Sequence, residues 1–300
     1  MCFVRAKLKE DYMYDAIEKY GYQIMIPYRD TNLFMRLMRE VWFRLGLPFR
    51  CIWLNPKLKK IDQDIIIVRD SLVCSELMEW LRNRYPTAKL ILDYDNRADN
   101  TFSPTEACKY VNEMWTYDAD DAKKYGMRIR GTAFLDIYKL PEFEETTPID
   151  VAYLGRDKGR GEEILGIESE LMEKGFSTDF KIVANRQYQR YRKKYYSPLT
   201  SYREYLEMLS RSKALLNFMP ESQKSLTPRD MESIFYSKKE ITNVKEIKEF
   251  KYYHPQRQFV WGVDDMESLG EFLNSPYPKL SEEELDEFRF VNCINEMLDE

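Results

Sequence analysis

Residues 64–68, Asp64-Ile65-Ile66-Ile67-Val68, are apolar at four successive positions with no alternation. A strand with one face in water alternates apolar and polar residues, so an unbroken run fits a parallel strand covered on both faces. Parallel neighbours need a long crossover, usually a helix. The flanking sequence supplies one. Residues 71–85 read as a helix with Leu72, Leu77, Trp80 and Leu81 buried, and Lys89-Leu90-Ile91-Leu92 is the next strand. The same rhythm runs either side. Tyr22-Gln23-Ile24-Met25-Ile26 is a strand, and residues 33–45 form an amphipathic helix with Leu33, Leu37, Val41 and Leu45 at spacing four, stopped by Gly46-Leu47-Pro48. Residues 50–54 and 113–117 read as strands, and residues 118–125 as a helix ended by Gly126. Residues 1–8 carry only a faint strand signal. This alternation predicts a parallel α/β sheet.

The chain of 300 residues exceeds most single cores and suggests two domains. The stretch Leu140-Pro141-Glu142-Phe143-Glu144-Glu145-Thr146-Thr147-Pro148 is acidic and flanked by proline, as in a linker. The expected division is therefore 1–145, 146–280 and a C-terminal helix over 281–300, with Leu285, Phe288 and Val291 on one side. In the second half, residues 150–154, 180–183, 213–218, 239–242 and 258–261 read as strands, and residues 162–174 and 202–210 as helices.

Several function classes are disfavoured. A net charge of −5 does not suggest nucleic acid as a partner. The five cysteines are scattered without a CxxC, which points to reduced thiols in a cytoplasmic protein. No apolar run long enough to cross a membrane and no signal peptide are read from the sequence. The single histidine, His254, excludes HExxH zinc chemistry and reads as structural.

Two stretches of the second half suit an anion. After the apolar residues 214–218, Thr227 is a good N-cap, Pro228 fits the first helical position, and Asp230 completes a capping box. Met231, Ile234 and Phe235 then face the core, while Arg229, Glu232, Ser233 and Tyr236 face away from it. The strand 150–154 ends in Gly155-Arg156-Asp157-Lys158-Gly159-Arg160-Gly161 before a helix. Such a basic, glycine-rich turn lets backbone N–H groups approach a phosphate. A charged turn at a domain entry is the bland alternative. In the first half, Asp93-Tyr94-Asp95 has DxD spacing, compatible with a divalent cation or with solvated carboxylates. Asp70 and Asp95 follow neighbouring strands and are candidate general bases. Arg186, Tyr188, Arg190, Tyr191, Arg192, Lys193, Lys194, Tyr195 and Tyr196 (residues 186–196) make a basic, tyrosine-rich stretch, suited to an anionic membrane or lipid head group, to a solvated loop, or, least in keeping with the acidic balance of the chain, to single-stranded nucleic acid.

Beyond these features, four blocks in order resemble bacterial GT-B-like glycosyltransferases of capsule, exopolysaccharide and O-antigen biosynthesis. They are Tyr117-Asp118-x-x-Asp121-Ala122-x-x-Tyr125-Gly126, Tyr153-Leu154-Gly155-Arg156-Asp157-Lys158-Gly159-Arg160, Gln223-x-x-Leu226-Thr227-x-Arg229-x-x-Glu232 and Lys238-Lys239-x-Ile241-Thr242-Asn243. The resemblance implies an α/β GT-B-like fold of two Rossmann-like domains facing a cleft. It implies sugar transfer from a nucleotide-diphosphate donor to a growing glycan, often polyprenyl-diphosphate-linked, on the inner face of the plasma membrane. Glu232 would hold the donor ribose. Gly155, Arg156, Lys158, Arg160, Gln223, Leu226, Thr227 and Arg229 would surround the diphosphate, and Asn243 would complete the donor site. Asp95 or Asp70 would be the base. The expected transfer needs no cofactor and no metal. Ser222 and Ser225 stand where the family favours glycine, which also admits a catalytically inactive, GT-B-shaped binding subunit.

Overall fold

A computed structural model describes residues 1–7, 11–29, 32–142, 148–220 and 225–298. The chain forms two compact units, Met1–Gly131 and Thr132–Glu300.

The first unit runs β1 (Cys2–Val4), α1 (Tyr12–Lys19), β2 (Gln23–Met25), α2 (Leu33–Arg44), β3 (Ile65–Arg69), α3 (Ser75–Arg84), β4 (Lys89–Tyr94), α4 (Pro104–Ala107), β5 (Glu113–Thr116), α5 (Ala119–Tyr125) and β6 (Arg128–Ile129). Its six strands are parallel, in the order β2-β1-β3-β4-β5-β6. The chain leaves β1 to one side and returns to the other, so the strand order reverses between β1 and β3. The run that predicts a doubly covered strand is β3, with Ile66, Ile67 and Val68 fully buried. The faint N-terminal signal is the buried strand β1, too short at three residues to show a period.

Two expectations change here. Residues 50–53 form a single 3-10 turn rather than a strand. Trp42 of α2 donates its ring N–H to the Pro48 carbonyl (2.8 Å) and packs edge-on against Trp53, which turns the chain back too sharply for extended pairing. The helix α2 forms, but with the opposite face inward. Phe43 meets Tyr28 at 5.1 Å, while Leu37, Val41 and Leu45 of the apolar stripe are exposed.

The second unit runs β7 (Ile149–Arg156), α6 (Gly161–Glu173), β8 (Thr178–Val183), β9 (Tyr196–Ser197), α7 (Tyr202–Ser210), β10 (Ser212–Asn217), α8 (Pro228–Phe235), β11 (Lys239–Thr242), β12 (Gln258–Val260), α9 (Leu269–Asn274), α10 (Glu282–Asp286) and α11 (Phe290–Glu296). Its strands are again parallel, ordered β12-β11-β10-β7-β8-β9. The chain enters at the centre, works outward to β9, then crosses to β10 and works outward again. This is the doubly wound Rossmann order, with its switch point between β7 and β10.

The second unit begins earlier than the acidic stretch. Phe134 stacks on Phe235 with ring centroids 4.0 Å apart. Its backbone exchanges hydrogen bonds with Phe288 and Phe290 (2.6 and 2.9 Å). Residues 132–142 therefore pack with the second unit, whereas composition alone places the division at 145; residues 143–147 lie outside the described residues. The same pairing breaks the single helix expected over 281–298 into α10 and α11. No helix among the described residues is long and apolar enough to cross a membrane.

Candidate functional site

Open α/β sheets bind ligands beyond the carboxyl ends of the strands, at the switch point. In the second unit those ends are Leu154, Gly155 and Arg156 on β7, and Asn217 and Phe218 at β10. Both anion-suited stretches converge there. Arg229 of α8 donates to the Leu154 carbonyl and, at 3.1 Å, to the Tyr205 hydroxyl. Arg160 donates to the Phe218 carbonyl, and its buried Nε has no hydrogen-bond partner among the described residues. Arg156 donates to the carbonyls of Ala184 (3.3 Å) and Asn185 (2.8 Å). The Lys158 ammonium is held below its ordinary range, first by partial loss of water and then by the charges of Arg160, Arg156 and Arg229. Among the described residues, Arg156, Lys158 and Arg160 make no ion pair; the bonds of Arg156 and Arg160 are to backbone carbonyls.

The turn itself is organised by Asp157. Its Oδ1 accepts from the N–H of Gly159 (2.9 Å) and of Gly161 (3.0 Å), and its carbonyl accepts from Arg160 N–H (2.8 Å). Lys158 N–H goes to Asn185 Oδ1 (2.8 Å). Lys158 and Gly159 both have positive φ (47° and 86°), the signature of a type I′ turn. The N–H groups that sequence reasoning assigns to a phosphate are thus engaged within the turn, and the chain's own carboxylate sits at the start of α6. The glycines serve packing instead: the Tyr153 hydroxyl crosses Gly155 and that of Tyr195 crosses Gly161, where a Cβ would collide. Side-chain cations are what this end of the sheet offers an anion.

The capping box of α8 forms as the sequence predicts. Thr227 Oγ1 accepts from Arg229 N–H (3.2 Å), and Thr227 N–H donates to Asp230 (2.6 Å). The Leu226 carbonyl accepts from Thr132 Oγ1 (3.0 Å). Asp230 also belongs to a buried network that sequence reasoning does not find. Asn217 Nδ2 donates to Asp230 (3.1 Å) and to Glu240 Oε1 (2.8 Å). Burial pushes both carboxyls up, Glu240 well above the carboxylate range, and Asp230's charge adds to it. Of the two, Glu240 holds its proton the more tightly. The available signal was an Asn closing the apolar run Ala214-Leu215-Leu216 and a Glu beside Ile241 in the next strand.

Glu232 differs from expectation. It is 5% exposed, because α7 covers the helix face that periodicity leaves open. Its carboxylate accepts from the hydroxyls of Tyr205 (2.6 Å) and Tyr202 (3.1 Å), and burial pushes it up against the opposing pull of Arg229 and these tyrosines. Asn243 holds the backbone of Met219 through both amide atoms (2.7 and 2.8 Å). Gln223 and Ser222 lie outside the described residues. Lys238 and Lys239 sit at the amino end of β11, the other pole of the sheet. There they donate to the carbonyls of Ser210, Ser212 and Gln256, and burial lowers both to about 8. With Arg211, Lys213 and Tyr277 they line a pocket of about 500 Å³.

In the first unit, the switch point gathers the acidic residues. Asp93 is in β4 rather than a loop, and is fully buried. Arg69 and Arg130 each bridge Asp93 and Asp95, with Arg130 2.6 Å from Asp93 and 2.8 Å from Asp95. The DxD carboxylates are thus matched to the chain's own guanidinium groups. Burial raises the Asp95 carboxyl, but Arg69, Arg130 and Arg5 outweigh it and hold it below the ordinary range. Asp70, at the end of β3, behaves oppositely. Burial first, then the Asp95 charge, push it up to about 6 against the hydrogen bonds of Asn96. Sequence position makes the two carboxylates equivalent; the structure brings them together and separates their chemistry. His254 accepts from Gln256 N–H (3.1 Å) in a turn. In the 186–196 stretch, Tyr195 and Tyr196 hydrogen-bond Asp157, while Tyr188 and Tyr191 are exposed under neighbouring arginines.

Two parallel six-stranded α/β units, each with polar groups at its switch point, define a GT-B-like fold. It is shared with the apo form of the lipopolysaccharide outer core galactosyltransferase WaaB, at TM-score 0.50 and 11% identity over 99% of this chain and 98% of that one. A protein designated a UDP-N-acetylglucosamine 2-epimerase, from Listeria monocytogenes, superposes at TM-score 0.48 and 9% identity, over 99% of this chain and 94% of that one. No family model matches the sequence, and no curated protein matches it.

Proposed function

We propose that this protein is a glycosyltransferase that moves a sugar from a nucleotide-diphosphate donor to a growing surface polysaccharide. The observation that carries this function is the group of Arg156, Lys158, Arg160 and Arg229 at the switch point of the second unit. A diphosphate leaving group gathers negative charge as the glycosidic bond breaks, and preorganised cations stabilise that charge more than they stabilise the bound donor. Here side chains supply them without a metal. Thr227, Leu226 and Asn243 shape the surrounding backbone, and Gly155 leaves room for the Tyr153 hydroxyl. Glu232 reaches a donor ribose only if Tyr202 and Tyr205 yield its carboxylate. Asp70 is the fitter base of the two candidates, since a group near 6 accepts a proton at neutral pH more readily than the ion-paired Asp95. A lipid-linked acceptor on the inner face of the plasma membrane would meet the exposed Tyr188 and Tyr191, with their arginines, in the 186–196 stretch.

The engagement of Glu232 favours a second possibility, a catalytically inactive binding subunit of the same shape. Thermal unfolding with UDP, GDP and CDP tests both. Stabilisation by one nucleotide that is lost in Arg160→Ala supports a donor site, and hydrolysis of the matching nucleotide sugar then separates enzyme from binding subunit. No shift with any nucleotide refutes both.

A further inference from the structure

The helix α2 presents an apolar face that nothing in the described chain covers. Phe34, Leu37, Met38, Val41 and Leu45 recur at helical spacing, and each is 41–67% exposed. The following turn adds Phe49 at 71% and Ile52 at 49%. Soluble proteins scatter such residues singly; a contiguous set marks a surface that meets something apolar. The helix is not simply loose. Its other side is fixed by Phe43 on Tyr28, Trp42 on Trp53 and the Asn32 N-cap. The stripe is thus held outward by the partly buried aromatic contacts of the opposite face.

The charges of this segment are mainly positive, in a protein whose overall charge is −5. Arg36 and Arg44 are exposed, with one acid, Glu40, between them, while Arg39 lies over the Tyr28 ring and Arg50 pairs with Glu76. Lys57, Lys59 and Lys60 follow in the next turn, all exposed. A local basic excess on an acidic protein, beside large apolar side chains, is complementary to an anionic lipid surface: the apolar stripe enters the acyl boundary and Arg36, Arg44 and the lysines reach the head groups. At about 18 Å long, a helix of this size lies in the interface and does not span it.

We infer that α2, with the turn through Ile52, is a monotopic docking surface for an anionic phospholipid bilayer. The inference stands on the first unit alone and holds whether or not the protein transfers sugar. It is separate from the 186–196 stretch, which contributes charge and two tyrosines but no apolar stripe.

Co-sedimentation with phosphatidylethanolamine vesicles containing about 30 mol% phosphatidylglycerol tests it. Wild-type protein binds these and binds phosphatidylcholine vesicles at least about tenfold more weakly. Leu37→Glu with Val41→Glu lowers binding about tenfold or more with little change in thermal unfolding, because both side chains are more than half exposed. Arg36→Gln with Arg44→Gln lowers it less and flattens its salt dependence. Arg190→Gln with Arg192→Gln leaves most of it. The inference is overturned if wild-type protein ignores anionic vesicles or the glutamate pair binds as well as wild type. Loss confined to the 186–196 variants overturns it too. So does a dimer in light scattering that the glutamate pair dissociates, since a second copy then covers the face.

Discussion

Lys158 offers the sharpest test of the proposed donor site, because stability and binding should respond to it with opposite signs. Its backbone is in the left-handed region at φ 47°. An L-residue there costs roughly 1 kcal/mol. Glycine removes that cost but gives back about 0.5–1 kcal/mol through the greater freedom of the unfolded chain. The side chain makes no hydrogen bond to another described residue, and the charges it feels most are those of Arg160, Arg156 and Arg229. Removing it therefore relieves repulsion. Lys158→Gly should be as stable as wild type or up to about 1 kcal/mol more stable, and Lys158→Ala nearly neutral. A bound diphosphate reverses the balance. One charge-assisted contact to a phosphate is worth about 1.5–2 kcal/mol, so both variants should bind the preferred nucleoside diphosphate about ten- to thirtyfold more weakly. Nucleotide-free unfolding and isothermal titration calorimetry measure the two quantities on the same preparations. Wild-type affinity also weakens as pH rises through the lowered range of this ammonium, and the variants lose that dependence. Unchanged affinity in both variants refutes the site; a large loss of stability in either refutes the account of the turn.

Asp70→Asn should leave nucleotide binding intact and lower transfer about a hundredfold or more, while wild-type turnover falls as pH drops through about 6, where this base protonates. Asp95→Asn should act on stability instead, by several kcal/mol in chemical unfolding, since it leaves the guanidinium groups of Arg69 and Arg130 undercompensated. Glu240 has a raised folded-state carboxyl, so its contribution is intact at low pH and lost as pH climbs above the unfolded value toward the folded one. Glu240→Gln should flatten that decline with rising pH in thermal unfolding, and a steeper decline would refute the raised carboxyl. Phe134→Ala should cost about 3–5 kcal/mol in the second unit by removing the stack on Phe235, and an effect below about 1 kcal/mol would argue against the early start of that unit.

The central strands were legible because they are buried on both faces, whereas the two-residue edge strands β6 and β9, exposed or half-buried, left no pattern to read. An uninterrupted run such as 64–68 has few alternatives, and the caps at Asp118, Thr227 and Gly126 are local chemistry that works at any depth. What was not legible depends on partners distant in sequence. Periodicity identifies α2 and α8 as helices but cannot say which faces a neighbour will cover. Trp42 and Phe43 outcompete the leucine stripe in one, and two tyrosines of α7 bury Glu232 in the other. The break in the final helix comes from Phe134, more than 150 positions upstream of Phe290. The basic turn was recognisable as basic, but only coordinates reveal that Asp157 occupies its N–H groups.

The lysines at the far pole of the second sheet have a practical consequence. A solvent-exposed lysine is almost wholly protonated at pH 8 and reacts slowly with active esters, whereas a group near 8 presents about half of its amines in nucleophilic form. Lys238 combines that value with access from the pocket it lines, while Lys239 is 4% exposed. Brief acylation near neutral pH should therefore mark Lys238 ahead of the exposed lysines. A fluorophore or surface tether placed there would leave the carboxyl ends of β7 and β10 unmodified.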